Sequence, residues 1–466
     1  MSVILPLSSL SPSIIKRLNI DLIVKPTSND QEQSSSKVKT TMYRGMNIAP
    51  KRVVIECFDS FTLRDQTSTT NNSKTSSQDV AIIPFSYYYQ HLDSISPIQL
   101  YSHPKIEMEF EGQLLPRQKD VRTETLETLN RTNSIILSLH TGFGKTIFTL
   151  YLLSKIKLKA IVLCHRKIII DQWISSIKKY LPTSTYSVLG EKKENMEADI
   201  LIANVINVPK RERTFFSKFG VVVVDEIHTI CTESFSKSLL YIFPKYVIGL
   251  SATPFRTDGL DKILELFVGP EIIYRKMLKH FNVYKVETSF QPDAKMNIMG
   301  ALDWNSVLES QANDSYRNDL IVNLCRYFIS RNILILVKRK DHALLLKQLL
   351  QRYNQDVDVF MGDSKECNYN CRILIATYSK GGVGFDHPKL DMLIAAADVQ
   401  ESFMQYLGRI FRKDDVCAVY IDLVDQMSTL KKHSTARCNV CKDVGGLIKK
   451  FDKYFPNFDE VISLLK

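Results

Sequence analysis

Residues 138–146 read Ser-Leu-His-Thr-Gly-Phe-Gly-Lys-Thr, and residues 221–228 read Val-Val-Val-Val-Asp-Glu-Ile-His. The first stretch is typical of a phosphate-binding loop, because its two glycines permit a tight turn that aims backbone N–H groups at phosphate oxygens. The second is typical of a strand buried on both faces that ends in two carboxylates, Asp225 and Glu226. Since open α/β sheets bind ligands at the carboxyl ends of their strands, the two stretches predict a nucleotide site there.

Short apolar runs alternate with helical stretches on both sides of this pair, from about Gln113 onward. Runs of four to six such residues are typical of strands in a parallel sheet covered by helices. In the first domain they are residues 134–139, 160–164, 200–203, 221–224 and 247–250, with helices between them such as 147–156 and 168–180. The pattern returns at residues 333–337, 357–361, 373–376, 392–396 and 418–423. We therefore expect two tandem α/β doubly wound domains, residues 106–278 and 279–466.

The first hundred residues follow a different pattern, with apolar runs at 22–24, 53–57 and 80–88. Polar stretches rich in Ser, Thr, Asn and Gln separate these runs at residues 27–41 and 65–79. Because such stretches cannot bury enough apolar surface to order themselves, we expect flexible loops there. The pattern predicts a small β-rich accessory domain over residues 1–105.

A length of 466 residues suits about three domains at roughly 150 residues each. The net charge of +11 favours a polyanionic partner such as nucleic acid, although a basic enzyme without such a partner fits the charge equally well. Nine scattered cysteines indicate reduced thiols, and neither a signal peptide nor a membrane-spanning run is recognisable. We therefore expect a soluble, intracellular protein.

The loop residues have separate tasks in nucleotide binding. Lys145 would reach the β- and γ-phosphates, and the Thr146 hydroxyl would bind Mg²⁺. The strict loop pattern has glycine where this chain has Leu139, so a simple strand-to-helix turn is the alternative. The residues expected to cradle the phosphates are Thr141, Gly142, Phe143 and Gly144.

The carboxylates would complete the ATP site. Asp225 can hold the Mg²⁺ ion that bridges the phosphates, and Glu226 can orient and deprotonate the attacking water. A solvated turn is the alternative for two adjacent acidic residues. Upstream, the Gln118 amide has the donor and acceptor that an adenine edge requires, although most glutamines are surface residues.

Taken in chain order, these motifs and three later stretches resemble superfamily-two helicases of the DExH-box type. The later stretches are residues 251–254 (Ser-Ala-Thr-Pro), 377–386, and 405–412, which match Gln-x-x-Gly-Arg-x-x-Arg. The resemblance covers about residues 113–412 and implies two RecA-like domains that use ATP and Mg²⁺. It assigns the coupling of ATP hydrolysis to nucleic-acid binding to Ser251, Thr253 and Thr377, and nucleotide binding to Gly384 and Asp386. The residues to which it assigns catalysis are Lys145, Asp225, Glu226, His228, Gln405, Arg409 and Arg412.

The two arginines of the last motif make physical sense in that role. Arg409 and Arg412 stand three residues apart, so on a helix both would face one phosphate chain across a cleft. Such arginines stabilise the charge of the phosphoryl-transfer transition state, and hydrolysis would then require closure of the two domains. Solvated surface residues are the alternative.

Finer features resemble particular branches of the superfamily. Residues 252–259 look like the Ala-Thr-Pro-x-Arg-x-Asp-Gly extension of xeroderma pigmentosum group B-type and UvsW-like helicases, which also tolerate leucine at the position of Leu139. The N-terminal layout with residues 114–118 looks like the poxvirus-type transcript release helicases of large cytoplasmic DNA viruses. That resemblance implies a location in the host cytoplasm, with the virion as a further one, and a partner in the transcription machinery.

Nucleic-acid contacts are less well marked. Arg166 directly follows a predicted strand and is the contact that we favour, because phosphate contacts there would grip the strand without reading its sequence. The basic clusters at 155–159, 210–213 and 338–340 fit either phosphate contacts or a solvated face. Cys438 and Cys441 form a Cys-x-x-Cys pair with His433 nearby, but a fourth zinc ligand is not evident. We expect a monomeric DNA helicase, with an RNA helicase and a polymerase-associated translocase as alternatives.

Overall fold

The computed structural model describes residues 1–24, 41–43, 46–48, 55–64, 77–98, 102–191, 194–195, 197–230, 232–251, 260–296, 300, 302–362, 364, 368–382, 387–400, 403–413 and 415–450. The chain forms two compact units, Met1–Arg275 and Lys276–Lys466. The division into three domains, at residues 105 and 278, stays a prediction. Within the described ranges, no helix is both long enough and apolar enough to cross a membrane.

The N-terminal part of the first unit contains short strands and two helices. They are β1 (Ser2–Pro6), α1 (Pro12–Asp21), β2 (Ile23–Val24), β3 (Thr41–Tyr43), β4 (Met46–Ile48), β5 (Ile55–Glu56), β6 (Asp59–Arg64), β7 (Ser77–Pro84) and α2 (Phe85–His91). Strands β1, β7 and β6 form an antiparallel sheet in that order, and β2-β5 and β3-β4 form two separate pairs. The predicted β-rich start is confirmed.

Two N-terminal predictions need adjustment. The apolar run 80–88 is divided between strand β7 and helix α2 at Pro84, which cannot donate a ladder hydrogen bond. The predicted loops 27–41 and 65–79 lie mostly outside the described residues. Their described ends are in strands, because Thr41 begins β3 and residues 77–79 belong to β7.

One apolar core joins this N-terminal part to the α/β part of the same unit. Met1 and Phe85 share a single buried cluster with Val224. The backbone N–H of Ser2 also donates to the carbonyl of Ile242 at 2.9 Å. The N-terminal strands are therefore packed onto the first α/β sheet.

The first α/β part is a seven-stranded sheet in which every pairing is parallel. Its elements are α3 (Pro116–Thr132), β8 (Ser134–Leu139), α4 (Lys145–Ile156), β9 (Ala160–Cys164), α5 (Lys167–Tyr180), β10 (Tyr186–Val188), β11 (Ile200–Asn204), β12 (Val221–Val224), α6 (Ile227–Ile230), α7 (Glu233–Ser236), β13 (Tyr246–Ser251), α8 (Asp261–Phe267) and β14 (Ile272–Arg275). The strand order is β10-β11-β9-β12-β13-β8-β14. All four valines of the central β12 are buried, as their β-branched run predicts.

The second unit repeats this architecture, again with only parallel pairings. Its elements are β15 (Phe281–Glu287), α9 (Trp304–Asn313), α10 (Ser315–Tyr327), β16 (Ile333–Val337), α11 (Lys340–Arg352), β17 (Val357–Phe360), β18 (Ile373–Thr377), α12 (Tyr378–Gly381), β19 (Met392–Ala395), α13 (Phe403–Leu407), β20 (Ala418–Val424), α14 (Ser428–Asp443) and β21 (Gly446–Lys450). The strand order is β17-β18-β16-β19-β20-β15-β21. Both predicted α/β sheets are confirmed, and β12 and β19 hold the same central place in them.

Candidate active site

The loop between β8 and α4 is a tight turn built on two glycines. Gly142 and Gly144 have φ angles of 84° and 87°, in the left-handed region that side chains disfavour. A Cβ atom on Gly144 would lie 2.6 Å from Nε2 of Gln118. Helix α4 then begins at Lys145, so its N-terminus follows the loop as a phosphate site requires.

Two side chains at the start of α3 hold this loop. Gln118 is buried, and its Nε2 donates to the carbonyls of Phe143 at 3.1 Å and Gly144 at 3.2 Å. Its Oε1 accepts the backbone N–H of Leu115 at 2.9 Å. Arg117 donates to the carbonyl of Gly142 at 2.9 Å. The amide of Gln118 is thus engaged within the protein, and its contact with adenine stays a prediction that requires an exchange of partners.

The role of Arg117 was missed from the sequence. Nothing in the local pattern distinguishes an arginine that holds a loop about 25 residues away from one on a helix surface. Its position next to Gln118 at the start of α3 was the only available signal.

Lys145 and Thr146 lie on the first turn of α4. The Nζ atom of Lys145 donates to the carbonyl of Leu139, the last residue of β8, at 2.9 Å. The ammonium group therefore lies beside the loop. Its charge also acts on Asp225, because it opposes the rise in the pKa of that carboxyl group.

Asp225 follows β12 directly and is 9% exposed. Its Oδ2 accepts the indole N–H of Trp173 at 2.8 Å, and its Oδ1 accepts the backbone N–H of Glu226 at 2.9 Å. Burial and then the neighbouring carboxylate of Glu226 raise the pKa of Asp225 above its ordinary value. The pair thus concentrates negative charge where the protein compensates it incompletely.

Glu226 occupies an unusual backbone position. Its φ angle is 48°, a left-handed conformation that costs a non-glycine residue about 1–3 kcal/mol. Its Oε2 atom is buried and has no hydrogen-bond partner among the described residues, and Nδ1 of His228 lies 3.6 Å from it. This oxygen is available to accept a hydrogen bond from water, and the buried carboxylate of Asp225 supplies the oxygen donors that a hard divalent cation prefers. The residues present therefore fit a magnesium ion.

The structure joins two of the predicted motifs at His228. Its Nδ1 lies 2.9 Å from the hydroxyl of Ser251, the last residue of β13. Thr253 lies outside the described residues. Behind this contact, His165 meets the hydroxyl of Thr229 at 3.1 Å, and burial together with the charge of Arg166 lowers the pKa of His165 to about 4. Ser251 is thus placed to respond to changes at the acidic pair.

Fewer predicted residues of the second unit can be located. Thr377 ends β18, and its hydroxyl lies 3.1 Å from that of Ser379. Gly384 and Asp386 lie outside the described residues. Residues 377–386 and 405–412, which correspond to the fifth and sixth helicase motifs, are in contact, because the hydroxyl of Tyr406 donates to the carbonyl of Tyr378 at 3.1 Å.

The predicted helical spacing of Arg409 and Arg412 is wrong. Gln405 lies on α13, but that helix ends at Leu407, and Arg409 lies in a 3-10 turn that spans Gly408–Ile410. Arg412 lies beyond the turn in non-helical chain. Glycine is a poor helix former, which accounts for the end of α13 before Gly408. The guanidinium group of Arg409 donates to the carbonyl of Gly382, so the two motifs are in direct contact.

Arg166 is exposed at the start of α5, directly after β9, where a contact to nucleic acid was expected. The basic clusters at 155–159 and 210–213 have other partners. Lys157, Lys159, Arg211 and Arg213 form ion pairs with Glu107, Glu197, Glu194 and Asp59, respectively. These four pairs favour a structural role for both clusters.

Cys438 and Cys441 are buried on α14. Over the part of the chain that the structure describes, no group of three or more His, Cys, Asp or Glu residues could hold a metal ion. The zinc hypothesis therefore has no geometric support.

Known proteins share both the sequence and the fold of this chain. Residues 111–256 match the family described as "Type III restriction enzyme, res subunit". The chain is 38% identical over 400 residues to 161L of Invertebrate iridescent virus 6, a protein named as a helicase, with 80% of this chain and 90% of that protein covered. It is 29% identical over 336 residues to the transcript termination protein A18 of Yaba monkey tumor virus, covering 64% of this chain and 70% of that protein. The solved structure of S. cerevisiae Dbp5 bound to RNA and ADP BeF3 has the same fold, with a TM-score of 0.53 and 16% identity over 76% of this chain and 98% of that chain.

Proposed function

The chain belongs to the superfamily-two helicases of large DNA viruses and is an ATP-dependent nucleic-acid helicase, and we propose that DNA is the strand on which it moves. The observation that carries the proposed mechanism is the acidic pair at the carboxyl end of β12, formed by the buried Asp225 and the partly buried Glu226. The net charge of +11 is compatible with any nucleic acid, and the resemblance of residues 252–259 to xeroderma pigmentosum group B-type helicases supports DNA.

In the proposed mechanism, Thr146 and Asp225 hold Mg²⁺, which when bound neutralises developing charge on the β- and γ-phosphates. Lys145 exchanges the carbonyl of Leu139 for phosphate oxygens. Glu226 orients the attacking water and accepts its proton on the carboxylate whose Oε2 lacks a hydrogen bond. The loop residues Thr141, Gly142, Phe143 and Gly144 present backbone N–H groups to the same phosphates.

The second unit supplies positive charge to the reaction in this proposal. Arg409 and Arg412 stabilise the transition state, and Gln405 orients the nucleotide or the attacking water. His228 and Ser251 then transmit the state of the nucleotide, since their side chains are in contact at 2.9 Å. Arg166 grips the phosphates of the strand from the start of α5.

The test of the ATP site compares substitutions in the site with matched ones outside it. Lys145→Ala and Glu226→Gln should each lower nucleic-acid-stimulated ATPase about 100-fold or more, while binding of DNA measured by fluorescence anisotropy persists. Lys119→Ala and Glu265→Gln make the same chemical changes at exposed positions and should leave turnover within about twofold. Normal turnover in either site variant would refute the assignment.

The test of the substrate is strand displacement with 3′- and 5′-tailed duplexes of DNA and of RNA. DNA-stimulated ATPase with displacement of a DNA strand is the expected result. Stimulation by RNA alone would replace DNA by RNA in the proposal. ATPase without displacement on any duplex would instead indicate a translocase that does not separate strands.

We propose a role in viral transcription for this motor, since A18 of Yaba monkey tumor virus carries the name transcript termination protein. The N-terminal part, with its antiparallel sheet β1-β7-β6, is the candidate contact for a transcription partner in the host cytoplasm. Both α/β sheets belong to one chain, so a monomer suffices for the proposed chemistry. Co-purification of transcription proteins from infected cells with the full-length chain would test the partner contact.

A further inference from the structure

The segment between β19 and the sixth motif has an unusual environment. The chain leaves the sheet at Ala395 and passes through four buried residues, 396–399. Outside a strand, buried carbonyl groups have no ladder partners, and each one left unsatisfied costs roughly 1–3 kcal/mol. The groups that donate hydrogen bonds to these carbonyls therefore determine the path of residues 396–399.

Side chains from three different helices supply those partners. Arg317 of α10 donates to the carbonyl of Ala396. The hydroxyl of Tyr378, on α12 in the fifth motif, donates to the carbonyl of Ala397 at 2.6 Å. Arg437 of α14 donates to the carbonyl of Val399 at 2.9 Å. The segment is thus held at three of its four peptide carbonyls by buried side chains.

Asp398, within the same segment, is held by α14 at both carboxylate oxygens. Its Oδ1 accepts Nη1 of Arg437 at 2.6 Å, and its Oδ2 lies 2.7 Å from Nδ1 of His433. Arg437 is 5% exposed, so this charge pair is screened little by solvent. Among the three donors, Arg437 makes the most contacts to the segment.

Arg437 is also connected by side-chain contacts to α13, the helix of the sixth motif. The Nε atom of Arg437 donates to Oδ1 of Asp422 at 2.9 Å, and the hydroxyl of Tyr420 donates to the same oxygen at 2.9 Å. The ring of Tyr420 packs against that of Phe403 on α13, with centroids 5.2 Å apart. The guanidinium group of Arg437 therefore contacts both residues 396–399, which precede α13, and Asp422, which holds the ring that packs against α13.

We propose that Arg437 is a positioning residue for the sixth motif, which holds residues 396–399 so that Arg409 takes a fixed direction. The inference rests on the proposed role of Arg409 in hydrolysis. Arg409 follows Val399 by ten residues, and most of the described ones among them belong to α13 and one 3-10 turn. A displacement of about 1 Å at a reacting group costs roughly 100-fold in rate, so the direction of this segment matters for turnover.

The experiment measures kcat and KM for ATP at saturating DNA, together with the melting temperature of each variant. Arg437→Gln should lower kcat at least about tenfold with KM within about twofold, because ground-state binding of ATP does not use this contact. Arg437→Lys keeps the charge without the forked geometry and should recover part of the loss. Thr435→Ala is the control, since its exposed hydroxyl on the same helix donates to the carbonyl of Lys431 at 2.9 Å.

A double variant shows whether Arg437 acts through the sixth motif. If it does, Arg409→Ala combined with Arg437→Gln should be no slower than Arg409→Ala alone. Full multiplication of the two losses, or a change in KM that matches the change in kcat, would overturn the inference. Normal turnover of Arg409→Ala alone would instead refute the proposed role of that arginine, so the two failures are distinguishable.

His433→Ala serves if Arg437→Gln does not fold. His433 is partly exposed and contacts the opposite carboxylate oxygen of Asp398. A loss in kcat of about threefold that disappears in the Arg409→Ala background would support the inference. An unchanged kcat in a folded His433→Ala variant would count against it.

Discussion

The central strands of the two sheets end in aspartates with opposite surroundings. Asp225 directly follows β12, and its side chain meets a neutral indole N–H and a second carboxylate. Asp398 follows β19 by three residues, and its carboxylate is held by the guanidinium group of Arg437. The fold is the same, yet the charge of Asp225 is offset only in part, by Lys145, whereas that of Asp398 is neutralised by a paired guanidinium group.

This difference separates the tasks of the two units. A buried carboxylate without a cation is costly, and it persists where a ligand supplies the missing charge. A buried carboxylate paired with arginine holds a neighbouring segment in place. The first unit therefore has the features of a binding site, and the second those of a rigid support for arginines.

The largest expected effect is that of Asp398→Asn on the second unit. The substitution removes a buried charge-assisted hydrogen bond and leaves Asp422 as the remaining carboxylate partner of Arg437, which costs about 1.5–3 kcal/mol. Hydrogen exchange of peptides from β19 and α14 should show this loss of protection, whereas peptides from β8 and β12 should be unaffected. Unchanged protection around Arg437 would show that the Arg437–Asp398 pair contributes little to the stability of the second unit.

Asp225→Asn should instead increase the stability of the first unit. An amide removes the repulsion from Glu226, so the first unit should gain about 1–2 kcal/mol while ATPase is lost. Thermal unfolding without nucleotide and a steady-state ATPase assay measure the two effects. A destabilised Asp225→Asn protein would show that the bond from Trp173 outweighs the repulsion.

The sequence predicted the parts of this molecule that depend on local pattern. Buried valines at 221–224 and the glycines of the loop have strong preferences of their own, so the strand and the turn follow from a few residues. The strands β10, β14, β15 and β21 were not predicted, because β10, β14 and β21 are edge strands and β15 lacks a continuous apolar run, with Asn282 and Lys285 interrupting it.

Long-range partnerships could not be read from the sequence. Arg437 lies 39 residues from Asp398, and no motif marks either of them. The contact of Arg409 with the carbonyl of Gly382 likewise joins residues 27 positions apart, which periodicity does not reveal. The acidic pair was predictable as a pair, but the backbone conformation of Glu226 was not.

A smaller effect is expected for Trp173→Phe, which removes the neutral donor to Asp225. Loss of one hydrogen bond of about 1 kcal/mol should raise the Mg²⁺ concentration for half-maximal ATPase about fivefold, with kcat at saturating Mg²⁺ nearly unchanged. Trp304→Phe in the second unit is the control and should leave the Mg²⁺ dependence as it is. An equal shift in both variants would mean that the indole of Trp173 acts only through packing.

The smallest expected effect is a loss of stability of the second unit at acidic pH. Burial and the charge of Arg317 lower the pKa of His342 to about 3, from about 6.5 in the unfolded chain. A depressed pKa means that the unfolded state binds the proton first, so stability is fully present above pH 6.5 and falls as the pH approaches 3. Between pH 6.5 and 5.5 the second unit should lose about 1 kcal/mol through this group. His342→Gln, which can keep a contact with Asn318, should flatten that part of the pH–stability curve. An unchanged pH–stability curve would show that the buried surroundings of His342, including Arg317, tolerate a protonated histidine.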